Sequence, residues 1–211
     1  MYVPAHFKAE DPAFLRRIMA ERSFALLITA DAAGVPFATH LPFMFDPGRG
    51  AQGTLLAHMA RANPQWQHFK DGAEALVVFA GPHAYVSPSW YEAHPSVPTW
   101  NYAAVHVYGR PRILEEAADK RAMLRRLVET NEAGYEKPWR MELPEAYEAG
   151  MLRGIVAFEI AVTRIEGKAK LSQNRNAADH ARVIAALEAE AHPESRAVAA
   201  LMRELAPRPK A

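Results

Sequence analysis

The sequence predicts a mainly β fold with peripheral helices (α+β), its strands antiparallel and closing toward a barrel. Three observations carry this prediction. Short apolar runs recur at hairpin spacing through the middle of the chain, turn-forming residues separate them, and helical periodicity falls mostly outside that region. With 211 residues, 50% of them hydrophobic, the chain can bury a sizeable core. We read a single domain over 1–211, with a helical insertion at about 115–152 and C-terminal helices at about 176–205.

Asp11-Pro12, followed by Phe14, Leu15, Ile18 and Met19, predicts a short amphipathic first helix, because Asp caps free amides and Pro at the first position forfeits no bond. Phe24 to Thr29 is a compact apolar run closed by Asp31-Ala32-Ala33-Gly34, and Val35 to Phe45 resumes it as the second strand of a hairpin. Thr54 to Ala60 is the next strand, Asn63 to Lys70 a short helical piece, and Ala75 to Phe79 another strand. After a loop rich in Pro and aromatics, Thr99 to Val107 alternates again. Glu115 to Thr130 carries a helical stripe of Ala118, Met123, Leu124, Leu127 and Val128. Gly154 to Ile165 is the last long strand, and the face that carries Glu159 is expected not to be wholly buried. Helix returns from Ala177 in two pieces broken at His192-Pro193, and the tail Pro207 to Ala211 is expected to be mobile.

Several function classes are excluded on composition. The 25 basic and 24 acidic side chains leave a formal charge of +1, so no chain-wide field favours nucleic acid or an anionic membrane. There is no Cys, which removes disulfides, thiolate nucleophiles and thiolate metal sites together. Neither a signal-peptide pattern at Met1 to Lys8 nor an apolar run of about 18 residues is present, so a cytoplasmic protein without a membrane partner is expected. Nine His are scattered over separate elements without a recurrent ligand spacing, and no metal site is expected. Gly48-Arg49-Gly50-Ala51-Gln52-Gly53 matches the dinucleotide pattern G-x-G-x-x-G, but a strand, Thr54-Leu55-Leu56, follows it where a helix is required. A hairpin loop is the better reading.

Three segments are polar where a core would not be. In His58-Met59-Ala60-Arg61-Ala62-Asn63-Pro64-Gln65-Trp66 a strand runs into a helix start, so a guanidinium, an amide and free helix amides can hold a phosphate. The plainer alternative is that Asn63 only caps the helix and Arg61 is solvated. His83 to Tyr91, with Val97 to His106, is dense in aromatics that can cover a flat ring, or else form an interface or core cluster. Ile165 to Arg175 reads as a basic, amide-rich turn after the long strand, or as a solvated loop. Residues 164 to 182 hold five basic side chains against two acidic ones.

Together these blocks, HMARANPQW at 58 to 66, AYVSPSWY at 84 to 91, VPTWNY at 97 to 102 and KLSQNR at 170 to 175, resemble the PaiB family of FMN-binding negative transcriptional regulators. The resemblance runs from Met1-Tyr2-Val3-Pro4 through His40-Leu41-Pro42-Phe43 to Arg175. It implies an antiparallel FMN-binding split barrel related to pyridoxamine phosphate oxidase, a homodimer with FMN at the subunit interface, and a DNA operator as target. Under it, Arg61, Lys170 and Arg175 supply charge for the FMN phosphate, while His58, Asn63, Gln173 and Asn174 donate hydrogen bonds. Trp100, Asn101 and Tyr102 are expected from the opposing protomer. No catalytic residue is assigned. The alternative within the same group is a flavin-dependent oxidoreductase or a haem-handling protein, and the junction Ala191-His192-Pro193 lacks the Gly often found in a helix-turn-helix.

Overall fold

The computed structural model describes residues 1–206, Asp71 by its backbone alone, so the expectation for the tail at 207–211 lies outside the described residues. A 3-10 turn at Ala5–Phe7 leads into the two-residue strand β1 (Lys8–Ala9) and helix α1 (Pro12–Glu21). The Asp11 carboxylate accepts from the Ala13 amide at 3.0 Å, Pro12 opens the helix, and Phe14, Leu15, Ile18 and Met19 form its buried face. Strands β2 (Phe24–Ala30) and β3 (Pro36–Pro42) make the expected hairpin, in register from Phe24 opposite Pro42 to Ala30 opposite Pro36. The Asp31 carboxylate holds the turn, accepting from the amides of Ala33 and Val35, both at 2.9 Å.

The second strand of that hairpin is shorter than the sequence predicts. It stops at Pro42, and Met44–Asp46 forms a separate strand, β4, which pairs not with β2 but with β5 (Thr54–Ala60). The break has two physical causes. Pro42 offers no amide to a ladder, and Phe43 is buried with its ring 6.2 Å from that of Phe158 while its amide donates to Ser23 O. The glycine-rich segment between β4 and β5 is a hairpin loop, so the dinucleotide pattern there is a coincidence of sequence. Asn63 then caps a 3-10 helix at Pro64–Gly72.

Three strands run well beyond their predicted ends: β6 (Ala75–Val86), β7 (Thr99–Ile113) and β8 (Ile155–Lys170). Part of the aromatic block therefore lies on β6, with a 3-10 turn at Pro88–Trp90, and Ile165 to Lys170 is strand rather than turn. Helices α2 (Ala117–Glu132) and α3 (Glu145–Arg153) occupy the predicted insertion, and α4 (Ala177–Ala189) and α5 (Pro193–Glu204) follow β8. The strand order is β3-β2-β6-β7-β8-β5-β4, with β1 beside β8. The registers of β1 on β8, β2 on β3, β2 on β6, β4 on β5 and β5 on β8 are all antiparallel. This is the antiparallel split barrel that the sequence predicts. Among the described residues no helix is long and apolar enough to cross a membrane.

The chain forms two compact units, each discontinuous in sequence. The first comprises 1–22, 79–106 and 166 onward; it contains α1, α4 and α5, and its core includes Ile18, Met19, Val183, Leu187, Val198 and Met202. The second comprises 23–78 and 107–165. One of its cores joins Met44, Leu56, Leu114, Met123 and Ala157, with Leu124 and Leu127 of α2 packed against them. The face of β8 that carries Glu159 is not wholly buried, as expected: Ile155 is partly exposed and Ala161 and Thr163 are exposed, while Ala157 and Glu159 are covered. From Val156 to Ile160 both faces of β8 are buried, and the Glu159 carboxylate is held there by ion pairs to Arg49 and Arg112, both far from it in sequence.

Candidate functional site

In the first unit, β8 ends by presenting Lys168 and Lys170, two residues apart and therefore on one face. The turn after it is built from its own side chains. Gln173 accepts from the Leu171 amide at 2.7 Å and donates to Ala169 O at 2.6 Å, Ser172 sits at φ 63°, and the Arg175 amide donates to Ser172 O. Asn176 then caps α4, accepting from the Asp179 amide at 2.8 Å. Asn101 on β7 is fully buried and exchanges hydrogen bonds with the Ser172 hydroxyl, which ties the turn to that strand.

This folding gathers three cations. Lys170 Nζ donates to Thr99 Oγ1 at 2.5 Å and Trp100 O at 2.6 Å. Lys168 Nζ donates to Tyr2 O at 3.1 Å and lies 5.1 Å from the centre of the Tyr102 ring. The Arg175 guanidinium covers the Tyr91 ring at 4.1 Å and donates to Ser96 Oγ at 3.3 Å. Among the described residues none of the three meets a carboxylate. Burial first, then the charges of Lys168 and Arg175, hold the Lys170 ammonium below the usual lysine value. Nearby, Trp100 is half exposed, with Tyr85 edge-on at 5.9 Å.

The structure thus brings together Trp100, Asn101, Tyr102, Lys170, Gln173 and Arg175, with Asn174 exposed in the same turn. The amides of Asn101 and Gln173 shape the turn. Lys168 and Tyr91 belong with this group although sequence reasoning left them out. The alternation Lys168, Lys170 was the available signal, hidden because that stretch reads as a loop.

His58, Arg61 and Asn63 belong to the second unit. Ala60 at the end of β5 pairs with Ile155, and the chain turns there: the Arg61 amide donates to Gly154 O at 2.8 Å. The Arg61 guanidinium donates to Arg153 O at 2.9 Å and Ile155 O at 3.0 Å, with the Trp66 ring 5.9 Å away. Asn63 accepts from the Gln65 amide at 3.0 Å and donates to Thr39 Oγ1 at 3.0 Å. His58 is partly buried, its Nδ1 is enclosed without a partner, and desolvation lowers its pKa, so the neutral ring is favoured.

The donor set suits a flavin mononucleotide. Its phosphate carries close to two negative charges, which the three cations of the first unit, paired with no carboxylate among the described residues, match. The chain belongs to the family described as "Putative FMN-binding domain", whose model matches residues 1–164. Among curated relatives it is 39% identical over 208 residues to the protease synthase and sporulation protein PAI 2 of Bacillus subtilis, covering 97% of each chain. It is 29% identical over 243 residues to an uncharacterised protein of Emericella nidulans, again with 97% of each covered. Solved structures share the fold. An FAD and haem binding protein from Mycobacterium smegmatis superposes with a TM-score of 0.60 at 17% identity, covering 82% of this chain and 78% of that one. The flavocytochrome Anf3 of Azotobacter vinelandii gives 0.60 at 14%, covering 85% and 78%.

Proposed function

We propose that the protein binds FMN, with Lys168, Lys170 and Arg175 at the phosphate, and acts as a cytoplasmic, homodimeric negative regulator of transcription of the PaiB type. The cluster of three cations, none of them paired with a carboxylate among the described residues, is the observation that carries the proposal. Mutual repulsion in the free protein is relieved when a dianion arrives, so phosphate is favoured over a neutral group. The exposed ring of Trp100, with Tyr85 beside it, offers flat apolar surface of the kind an isoalloxazine needs. Bound FMN supplies hydride and one-electron chemistry; the chain's own residues bind and orient it. His58, Arg61 and Asn63 are retained as candidate contacts and are tested apart from the first group.

One observation favours a second reading as a flavin-dependent oxidoreductase or haem-handling protein. Two of the three arginines of α4 and α5 are neutralised by carboxylates, Arg182 by Glu92 and Arg203 by Glu188, while Arg196 is oriented by Glu190 O and keeps its charge. Little free charge is left on those helices for a DNA backbone. The deciding experiment has two arms. Titration with FMN, riboflavin and FAD should favour FMN over riboflavin, and equal affinity for those two overturns the phosphate assignment. The FMN-loaded protein is then mixed anaerobically with NADH or NADPH, and in parallel with its own upstream DNA at several salt concentrations. A specific site should outbind random DNA about a thousand-fold. Flavin reduction faster than roughly one per second with no specific DNA complex would reverse the ranking.

A further inference from the structure

Within the second unit a cavity of about 520 Å³ opens between the start of α2, the end of α3 and the segment after β5. Its lining is unusually cationic: Lys120 and Arg121 come from α2, Arg153 from α3, and Arg61 from the turn after β5, around a buried floor at Leu152. Arg121 is neutralised by Glu148, its Nε 2.7 Å from Oε1. Arg61 donates to two backbone carbonyls, which orient its guanidinium but leave its charge uncompensated. Lys120 and Arg153 meet no carboxylate among the described residues. Ala117, the first residue of the 16-residue α2, also lines the cavity, and Glu116 before it makes no side-chain cap. The free amides of that first turn add hydrogen-bond donors, while the Asp119 carboxylate in the same turn offsets part of the helix's positive end.

We propose that this cavity binds a small molecule bearing two or more linked phosphates. Three uncompensated positive charges exceed what one phosphate monoester of about −1.5 to −2 can satisfy, whereas a diphosphate matches them. The volume leaves room beside the phosphates for an organic group, and Leu152 with Ala149 gives it an apolar surface. The phosphate cations of the flavin proposal belong to the first unit, but Arg61, retained above as a separate candidate flavin contact, is common to both readings, and titration with and without FMN tells them apart.

The test is calorimetric titration of the full chain with inorganic pyrophosphate at constant ionic strength, in the presence and absence of saturating FMN. One pyrophosphate per chain is expected in this cavity under both conditions, and any further event in the flavin-free chain, removed by FMN, is assigned to Lys168, Lys170 and Arg175. The double variant Lys120→Ala/Arg153→Ala should weaken pyrophosphate at least ten-fold while leaving FMN affinity within two-fold. Lys120→Glu, a single change on a partly exposed helix face, provides a second variant with the same expected loss, and circular dichroism checks that both fold. Absence of saturable binding with FMN saturating, wild-type affinity in the variants, or displacement by FMN of the event that the variants weaken would each overturn the proposal. Displacement by a random DNA duplex would also do so, assigning these cations to a nucleic acid backbone. Should FMN itself fail to bind, the pyrophosphate titration of the flavin-free chain still decides the matter.

Discussion

Replacing Lys170 by Met separates a phosphate-binding lysine from a merely structural one. The substitution keeps a long apolar stem beside Phe7, whose ring centre lies 5.8 Å from Nζ, and removes the ammonium. If that ammonium makes one charge-assisted contact to the FMN phosphate, its loss costs about 1.5–3 kcal/mol, or roughly ten- to a hundred-fold in affinity. The same change should scarcely destabilise the flavin-free protein. It forfeits hydrogen bonds to Thr99 and Trp100, but it also removes a buried charge crowded by Lys168 and Arg175. The pH dependence has a definite sign. Because the folded protein holds Lys170 below its ordinary 10.5, the ammonium is lost as pH rises through that lowered value, and FMN affinity of the wild type should fall there. Stability of the flavin-free protein should instead rise between the lowered value and 10.5, where the unfolded chain binds the extra proton. In Lys170→Met both slopes should vanish from that window. Fluorescence-quenching titrations with FMN and riboflavin across alkaline pH measure the first, and thermal melts the second. Equal losses for riboflavin and FMN, or a variant profile parallel to the wild type, would refute the reasoning.

Glu159→Gln should lower the melting temperature by about 2–10 °C, from roughly 1–3 kcal/mol. The figure is below that for stranding a fully buried charge because Arg49 and Arg112 are 47% and 67% exposed and can be rehydrated; an unchanged midpoint would mean that the ion pairs contribute nothing. Gly167→Ala should cost about 1–3 kcal/mol, read by chemical denaturation, since the new Cβ would stand 2.6 Å from Ala9 O and collide with Leu15. Wild-type stability in that variant would mean that β1 and α1 yield freely. Sedimentation at micromolar concentration should give a homodimer, with Val35 and Phe37 on the exposed hairpin and Phe24 among the apolar groups available for burial; a monodisperse monomer that binds FMN tightly would contradict the two-protomer proposal.

What could be read in advance was local. Asp11-Pro12, Asp31 to Gly34 and Asn63-Pro64 each announce a cap or turn through chemistry contained in a few residues, and each holds in the structure. Strand ends were harder to place. Gly81-Pro82 reads as a breaker, yet β6 passes through it because a side chain at 81 would meet Ala103 O at 2.8 Å. Gly167 among cations reads as a turn for a similar reason, when the chain there is close-packed strand. The burial of Glu159 depends on Arg49 and Arg112, distant partners that no local window contains. The candidate site followed the same division. The residue types at 58–63, 100–102 and 170–175 could be singled out, but the inclusion of Lys168 and the absence, among the described residues, of a carboxylate paired with the cluster depended on tertiary placement.

The side chain of Gln65 is fully buried, and its amide nitrogen donates to Leu27 O at 3.1 Å, Thr29 Oγ1 at 3.1 Å and Phe37 O at 3.0 Å. One amide thus spans both strands of the β2–β3 hairpin from the helix that follows Arg61. Sliding β3 by a single residue would turn its side chains to the opposite face and take Phe37 O away from this donor, so the amide acts as a register pin. The backbone around Arg61 and Asn63 is therefore set before any ligand arrives. A molecule binding there meets a finished surface and need not order the loop, which predicts fast association and slow exchange of the Arg61, Asn63 and Gln65 amides with or without ligand.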